Sequence, residues 1–557
     1  MSMPDKLTEA EQHLISAAGM GVIHDFSVGD AETDKLANAA NWGPERTIRA
    51  EVIRALCLGR GITPPVDPKG IHIRGARIVG PLDLGYANIP FPLGFNACYF
   101  EHKIYLLSAD IVSINLNGAY LADGMWAEGL SVKGNVLLRN GFIACSEILF
   151  TGGDIGGQLD CSGGHFHNPK GTAFEASGLT VKGPVYLGDG FIARGKVNFI
   201  AVQIGNDLNC SGGSFENQKG FSINIAGATV KGSVLLQNGF NAKGQVVLNG
   251  AIVGINLSCT GATFDNLEGM AFSADGLQIK GLVLLNEGFI ARGEVRLNGA
   301  DIGGQLTCTG GHFENFSGTA LNLDSVKVAA TAFLTRVKIC GVLNLRGAQI
   351  SELADDKQSW PDQGKLLLDQ FKYDSIVVNA STDAKSRLKW LSLQPTNSKD
   401  YGFRPQPYEQ LVKVLRAMGH ESDARKIAIA KQQEMRKTLG PVARAWSWIL
   451  RISTGYGYET WRAFIGMALM VAIGTAVFSF ANGSGDMVAT SDGAYVPIFN
   501  AFIYSLDAFL PIVDLHQETY WLPQSEPFKW YLWFHISAGW ILSTISVAAF
   551  TGLFKDE

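Results

Sequence analysis

Residues 178–220 have the sequence GLTVKGPVYLGDGFIARGKVNFIAVQIGNDLNCSGGSFENQKG, in which apolar residues come in pairs separated by a single residue. Leu179 and Val181 form one such pair, and Val185 and Leu187 form the next. Two side chains separated by one residue point to the same side of an extended chain, so each pair predicts a very short strand. The glycines between the pairs permit the bends that a chain needs at corners. The stretch therefore predicts a coil of short strands, because helical 3.6-residue spacing is absent from it.

The same pattern recurs at a fixed interval. The tetrapeptide Gly-Phe-Ile/Asn-Ala begins at Gly94, Gly141, Gly190, Gly239 and Gly288, which gives steps of 47, 49, 49 and 49 residues. Such repetition is typical of a solenoid. The apolar pairs start five or six residues apart, so four of them close one turn and each 49-residue repeat contains two turns.

These patterns predict a mainly β protein built around a parallel β-helix solenoid over residues 66–355. Eleven or twelve turns at the spacing of hydrogen-bonded strands would make a rod about 55 Å long. An open end of a stacked sheet exposes unpaired backbone groups, so a cover is expected. Residues 1–65 are predicted to form an α-helical N-terminal cap, with an amphipathic helix over residues 46–58 that follows Pro44.

The composition restricts the class of protein. Glycine supplies 65 of 557 residues and charged residues only 17%, which excludes a disordered chain or a solvated coiled coil. A net charge of -5 argues against a nucleic-acid partner. The first twelve residues lack the basic and apolar regions of a secretory signal, and eight cysteines in a chain of this length indicate a reducing compartment rather than a disulfide framework.

Several residue types recur in register with the repeat. The cysteines of one such column would lie two turns apart, too far for disulfides, and are predicted to be core residues. The asparagines of another are predicted to stabilise turns. Basic residues in two further columns are either solvated or bind an acidic protein or lipid. The cysteine column contains Cys161, Cys210, Cys259 and Cys308; the asparagine column contains Asn168, Asn217, Asn266 and Asn315; the basic columns contain Lys133, Lys182, Lys231 and Lys280, and Arg194, Lys243 and Arg292.

No pattern of catalytic or cofactor-binding residues accompanies the repeat. Acidic residues do not recur together as a glycosidase groove requires, since Lys196, Gln245 and Glu294 occupy the positions equivalent to Glu147. The glycine pairs lie inside repeat turns rather than at a helix start, and neither a P-loop nor a Cys-x-x-Cys motif occurs. We therefore predict no catalytic residue, no cofactor and no metal site.

The repeat fades after residue 355, and a proline-containing linker is predicted over residues 356–407. Helical spacing then predicts a helical hairpin and a juxtamembrane helix over residues 408–455. Residues 456–557 are predicted to form a membrane module with two transmembrane helices, 463–481 and 530–554.

The positive-inside rule predicts the orientation of this membrane module. No Lys or Arg occurs between Arg462 and Lys529, whereas the approach to the first span is rich in both. The intervening loop is therefore expected outside, and both termini and the β-helix in the cytoplasm.

The loop between the spans contains an apolar segment, residues 496–515, that is a candidate re-entrant helix. The order span, re-entrant helix, span is typical of a two-span pore module, which would require a homo-oligomer. Asp507, Asp514 and Glu518 would then form a cation-attracting mouth. The alternative is an outward amphipathic helix that packs on two membrane anchors.

Four stretches resemble a bacterial family of pentapeptide-like repeat membrane proteins. They are WGPERTIRAEVIRALCLG from Trp42, GARIVGPLDLGYANIPFPLGFNACYF from Gly75, FRPQPYEQLVKVLRAMGHESDARKIAIAKQ from Phe403, and the paired C-terminal spans. Members are often catalogued simply as membrane proteins or as membrane-associated oxidoreductases. Since the family is bacterial and membrane-bound, the resemblance implies a bacterial inner-membrane protein. The oxidoreductase label maps onto no residue of this chain. The steps here are often six residues, which departs from strict pentapeptides.

Three functional hypotheses follow. The preferred one is a non-enzymatic, membrane-anchored β-helix, a scaffold or sensor that gates an oligomeric two-span pore. The alternative is the membrane-associated oxidoreductase that the resemblance implies, and a cofactor spectrum of the purified protein would favour it. A third hypothesis is a cytoplasmic rod whose basic columns bind an acidic partner.

Overall fold

The structure is a computed structural model in which the chain divides into two units, Met1–Tyr401 and Gly402–Glu557. It describes residues 3–4, 6–30, 32–59, 64–395, 402–490 and 496–551. The last residues of the second predicted span, 552–554, lie outside the described part.

The first unit is a parallel β-solenoid of about 13 turns, which confirms the predicted fold class. Its strands are hydrogen-bonded in parallel into one sheet of 25 strands and another of 18. One turn illustrates the pattern: Asp154–Ile155 and Leu159–Asp160 belong to the first sheet, and His165–Glu175 to the second. Both members of an apolar pair are buried, for example Leu179 and Val181, as the spacing of the apolar pairs predicted.

Long strands in the second sheet explain the two-turn repeat. Eleven-residue strands alternate with seven-residue strands, because every second turn carries four extra residues that bulge outward. The eleven-residue strands are His165–Glu175, Ser214–Asn224, Thr263–Ser273 and His312–Asn322. The seven-residue strands are Ile192–Asn198, Asn241–Val247, Ile290–Arg296 and Lys338–Asn344.

The corner before the Gly-Phe sequences at Gly141, Gly190, Gly239 and Gly288 has an unusual backbone. Asn238 and Gly239 have φ angles of 53° and 87°, and two successive left-handed residues suit Asn and Gly better than most residues. This corner directs Phe240 into the rod. There its ring packs against those of Phe215 and Phe264, with centroids 5.2 and 5.5 Å away.

These rings belong to a continuous column of phenylalanines in the core. Eight successive turns contribute one ring each, and neighbouring centroids are 5.2–5.5 Å apart. We call this column the phenylalanine ladder. Its members are Phe142, Phe166, Phe191, Phe215, Phe240, Phe264, Phe289 and Phe313, all buried. The phenylalanines of the Gly-Phe sequences occur on every second turn, and phenylalanines of a second set fill the turns between them. The two sets together form one column in the folded rod.

The N-terminal cap is only partly helical. Helices α1 (Glu9–Met20) and α2 (Ala50–Cys57) are joined through two 3-10 helices, Leu36–Asn41 and Pro44–Arg46. The predicted helix over residues 46–58 is wrong at its start, because Thr47–Arg49 is a strand paired with Arg77–Val79. A second strand, Ile23–Asp25, pairs with Ile71–Arg74. The cap thus covers the rod end by adding one strand to each sheet.

The rod also extends beyond its predicted end at residue 355. Strands Leu366–Leu367 and Lys372–Ile376 continue both sheets, and helix α3 (Ala384–Ser392) follows. The predicted linker over residues 356–407 is therefore wrong for its first half. Arg387 of α3 has no exposed surface and donates two hydrogen bonds, 2.7 and 2.8 Å long, to the carboxylate of Asp355.

The second unit is helical. Helices α4 (Gln406–Ala417) and α5 (Glu421–Arg436) form the predicted hairpin, and a further helix, α6 (Pro441–Thr454), follows it. Helices α7 (Trp461–Gly483) and α9 (Glu526–Phe550) are both long and apolar enough to cross a membrane. Between them lies helix α8 (Ala501–Phe509), flanked in the chain by two short strands, Met487–Ala489 and Trp521–Pro523, that pair antiparallel. The re-entrant candidate over residues 496–515 is thus helical only over nine residues.

Candidate functional site

The first basic column lies at one corner of the rod. Lys133 Nζ lies 3.9 Å from the carboxylate of Asp110, and Lys182 Nζ lies 3.8 Å from that of Asp154. Each aspartate lies on the preceding turn of the rod. Its strand partner is the residue two positions before the lysine in the sequence. Both lysines are exposed, so these ion pairs are weak but reduce the local positive charge.

The other two lysines of this column differ from the first two. The positions equivalent to those aspartates are Gln203 and Ile252, so Lys231 and Lys280 form no ion pair with any residue that the structure describes. Both side chains are exposed. The positive charge of the first column is therefore concentrated in the half of the rod nearer its C-terminal end.

Glycines alternate with the lysines along this corner. A Cβ atom at Gly205 would clash with the carbonyl oxygen of Lys182, and one at Gly254 would clash with that of Lys231. The corner accepts a side chain only on every second turn, which gives the lysines their two-turn spacing.

The second basic column is not basic in the folded rod. Arg194 and Lys243 both approach Glu216, at 3.4 and 3.1 Å, and Arg292 lies 3.5 Å from both Asp265 and Glu314. The parallel register places one acid between successive bases. This column is a ladder of alternating charge, and it offers little attraction to an acidic partner.

The cysteine and asparagine columns have the predicted structural roles. Burial raises the pKa of the Cys308 thiol to about 12, and burial also raises the pKa of Cys161, Cys210 and Cys259. Protonated, buried thiols of this kind are inert. Each column asparagine donates a side-chain hydrogen bond across the outward bulge, for example from Asn217 Nδ2 to the carbonyl oxygen of Phe221 at 2.7 Å.

Helices α7, α8 and α9 pack together into what we call the three-helix module. Glycines permit the close approach, since a Cβ atom at Gly474 would clash with the Ser505 hydroxyl and one at Gly539 with the carbonyl oxygen of Phe509. The Ser505 hydroxyl donates to the carbonyl oxygen of Val471 at 2.9 Å, and His535 Nε2 lies 3.1 Å from the carbonyl oxygen of Ser505. The helix α8 is thus bonded to both long helices.

The three candidate mouth residues lie close together but differ in environment. Asp507 is buried, and its carboxylate accepts hydrogen bonds from the backbone N–H groups of Leu515, Gln517 and Glu518 at 2.6–2.9 Å. Asp514 is exposed and lies 2.9 Å from His516. Desolvation raises the pKa of Glu518, and the nearby carboxylates raise it further. Asp507 therefore holds the loop in place, and only Asp514 and Glu518 present their charge to solvent.

The described residues contain no group of three or more His, Cys, Asp or Glu side chains placed to hold a metal ion. Comparison with protein-family models, with curated proteins and with solved structures yields no match for this chain. The β-solenoid is established by the fold itself, whereas the resemblance to pentapeptide-like repeat membrane proteins stays a prediction.

Proposed function

We propose that the chain is a membrane-anchored scaffold or sensor whose β-helix lies on the cytoplasmic side of a bacterial inner membrane. Its main support is the pair of helices α7 and α9, with 23 and 25 residues. At a rise of 1.5 Å per residue, either can cross a hydrocarbon layer of about 30 Å. In the most apolar 18-residue stretch of each helix, only 22% and 33% of the residues are buried within the chain. Most of their apolar side chains are therefore available to lipid.

The distribution of basic residues supports the orientation. Helix α6 and its approach contain Arg436, Lys437, Arg444 and Arg451, whereas neither Lys nor Arg occurs between Arg462, in the first turn of α7, and Lys529, in the first turn of α9. Short loops rich in Lys and Arg stay on the cytoplasmic side. The rod precedes α6 in the chain and shares that side.

The native cysteines offer a direct test of this orientation. Cys145 is exposed on the rod, and Cys340 is half-buried. In a Cys340→Ser background, we expect a membrane-impermeant maleimide to label Cys145 only after spheroplasts are lysed. A cysteine introduced by Thr519→Cys, in the loop between the spans, is expected to react in intact spheroplasts. Labelling of Cys145 in intact spheroplasts, or extraction of the chain by alkaline carbonate, would contradict the proposal.

A scaffold needs a surface for a partner, and the unpaired lysines supply a candidate. We expect Lys231→Gln with Lys280→Gln to weaken binding of polyglutamate, used as an acidic probe, by about five- to tenfold at physiological salt. The matched control is Lys133→Gln with Lys182→Gln, which makes the same charge change two or more turns away. Surface charges are screened beyond about 8 Å at physiological salt, so the control should change binding less than twofold. Equal effects of the two pairs, measured by titration calorimetry, would reject this surface.

An oligomeric two-span pore gated by the rod is the second candidate function. Its support is the position of α8, bonded between the two long helices, with the exposed Asp514 and the half-buried Glu518 beside it. We expect Asp514→Asn with Glu518→Gln to lower cation conductance in reconstituted vesicles about twofold or more. Glu526→Gln, which removes a single carboxylate elsewhere in the three-helix module, is the control for a loss of negative charge and should leave the conductance unchanged. A monomer in mild detergent without any conductance would reject the pore and leave the anchored scaffold intact.

A further inference from the structure

The helix α6 carries an indole that has two cationic neighbours. The guanidinium carbon of Arg436, at the end of α5, lies 5.0 Å from the centre of the Trp448 ring, and that of Arg451 lies 5.5 Å from it. The face of an indole attracts a cation. Two guanidinium groups on one ring repel each other, so the arrangement favours an anion between or beside them.

That anion is not a side chain of the described chain. Neither Arg436 nor Arg451 has a carboxylate within 4.0 Å among the residues that the structure describes, although nearby cations do: Lys437 pairs with Glu434 and Arg462 with Glu459. One guanidinium nitrogen of Arg436, Nη1, is buried without a hydrogen-bond partner. A buried charged donor without an acceptor is costly, so this pair of arginines is an incomplete anion site.

The surroundings of the pair indicate where its anion comes from. Helix α6 packs against α7 and α9, the two bilayer-length helices. It also exposes Val442, Trp446, Ile449 and Ile452. A helix with exposed aliphatic and Trp side chains next to arginines is typical of one that lies at the membrane interface. Phosphate groups of lipids occupy that depth, and a guanidinium donates two parallel hydrogen bonds to a phosphate.

We propose that Arg436, Trp448 and Arg451 bind the phosphate of an anionic phospholipid headgroup on the cytoplasmic face of the membrane. The inference rests on the proposed membrane anchoring and adds a lipid class to it. The guanidinium groups hold the phosphate oxygens, and the indole keeps both groups oriented. The bound phosphate gives Nη1 of Arg436 its acceptor. The site fixes α6, and hence the hairpin that precedes it, at the membrane surface.

The experiment uses the full-length chain in mild detergent, with native mass spectrometry to count retained phosphatidylglycerol and phosphatidylcholine. We expect the unmodified chain to retain phosphatidylglycerol preferentially. Arg436→Gln with Arg451→Gln should weaken that binding about tenfold. Arg444→Gln is the matched control, because Arg444 lies on the same helix and donates to the carbonyl oxygen of Leu439. It should change the affinity less than twofold.

A second variant keeps the result interpretable if the glutamine pair fails to fold. Arg436→Lys with Arg451→Lys retains both charges but loses the paired donors, so an intermediate loss of affinity supports the site. Phosphatidylglycerol binding that is unchanged in both double variants overturns it. Inorganic phosphate bound with the same sensitivity to the variants would assign the site to a free anion and overturn the lipid assignment. Retention of the chain after alkaline carbonate treatment separates failure of this site from failure of the anchoring.

Discussion

Replacing Phe240 by alanine is expected to lower the free energy of unfolding of the β-helix by about 3–5 kcal/mol. The ring is fully buried in the middle of the phenylalanine ladder, in contact with the rings of Phe215 and Phe264. Removing it costs the transfer energy of the ring and leaves a cavity, because two neighbouring turns fixed by backbone hydrogen bonds cannot collapse into the space. Urea unfolding of the full chain in detergent, followed by the β-sheet circular dichroism signal, measures the change.

The same substitution at an exposed ring is the control. Phe316 lies at the tip of an outward bulge and is 71% exposed, so Phe316→Ala should change the unfolding free energy by less than about 0.5 kcal/mol. Equal unfolding midpoints for the two variants would show that the ladder does not stabilise the rod.

The second large effect is expected at the C-terminal end of the rod. Arg387→Ala should cost about 3–5 kcal/mol, because it leaves the carboxylate of Asp355 buried without its cation. The carboxylate also accepts a hydrogen bond from the indole N–H of Trp360 at 2.8 Å, but one neutral donor does not replace a guanidinium. The same urea experiment measures the change. Limited proteolysis should also cut the chain near α3 sooner in this variant.

Two further variants separate the cost of a broken pair from the value of the pair itself. Arg336→Ala removes an arginine whose pair with Glu287 is 3.8 Å long and mostly exposed, so about 1 kcal/mol or less is expected. Replacing both buried partners by apolar residues, Arg387→Met with Asp355→Leu, should destabilise less than Arg387→Ala alone. A double variant that is less stable than the single one would contradict this explanation.

The parts of the fold that follow from local spacing could be predicted from the sequence. Val185 and Leu187, two apolar residues separated by one, predict a strand, because strand geometry alone places their side chains on the same side. The 49-residue step from Gly190 to Gly239 predicts the two-turn repeat. The end of the rod was missed for the opposite reason. Leu366–Leu367 and Lys372–Ile376 lack the repeated motif, and only their pairing with earlier turns makes them strands.

The charge of the candidate surfaces depended on neighbours that are distant in sequence. Glu216 lies 22 residues after Arg194, so their contact appears only when one turn is placed on the next; counting one turn forward from each base would have found it. Asp507 was predicted at a pore mouth from its residue type, yet its carboxylate holds the loop that follows α8. Its role depends on the backbone path of residues 515–518, which composition does not reveal.

The alternation of lysine and glycine along one corner restricts how the rod can change its length. If a single turn were removed, two lysines would occupy this corner on neighbouring turns, where one of the two positions has room only for glycine. In the ladder of alternating charge, two residues of like charge would become neighbours. Removing or adding a whole 49-residue repeat preserves both the lysine–glycine alternation and the alternation of charge. The length of the rod can therefore change only in steps of one whole repeat, which is two strand spacings or about 10 Å. Any distance that the rod spans between two partners would change by the same step.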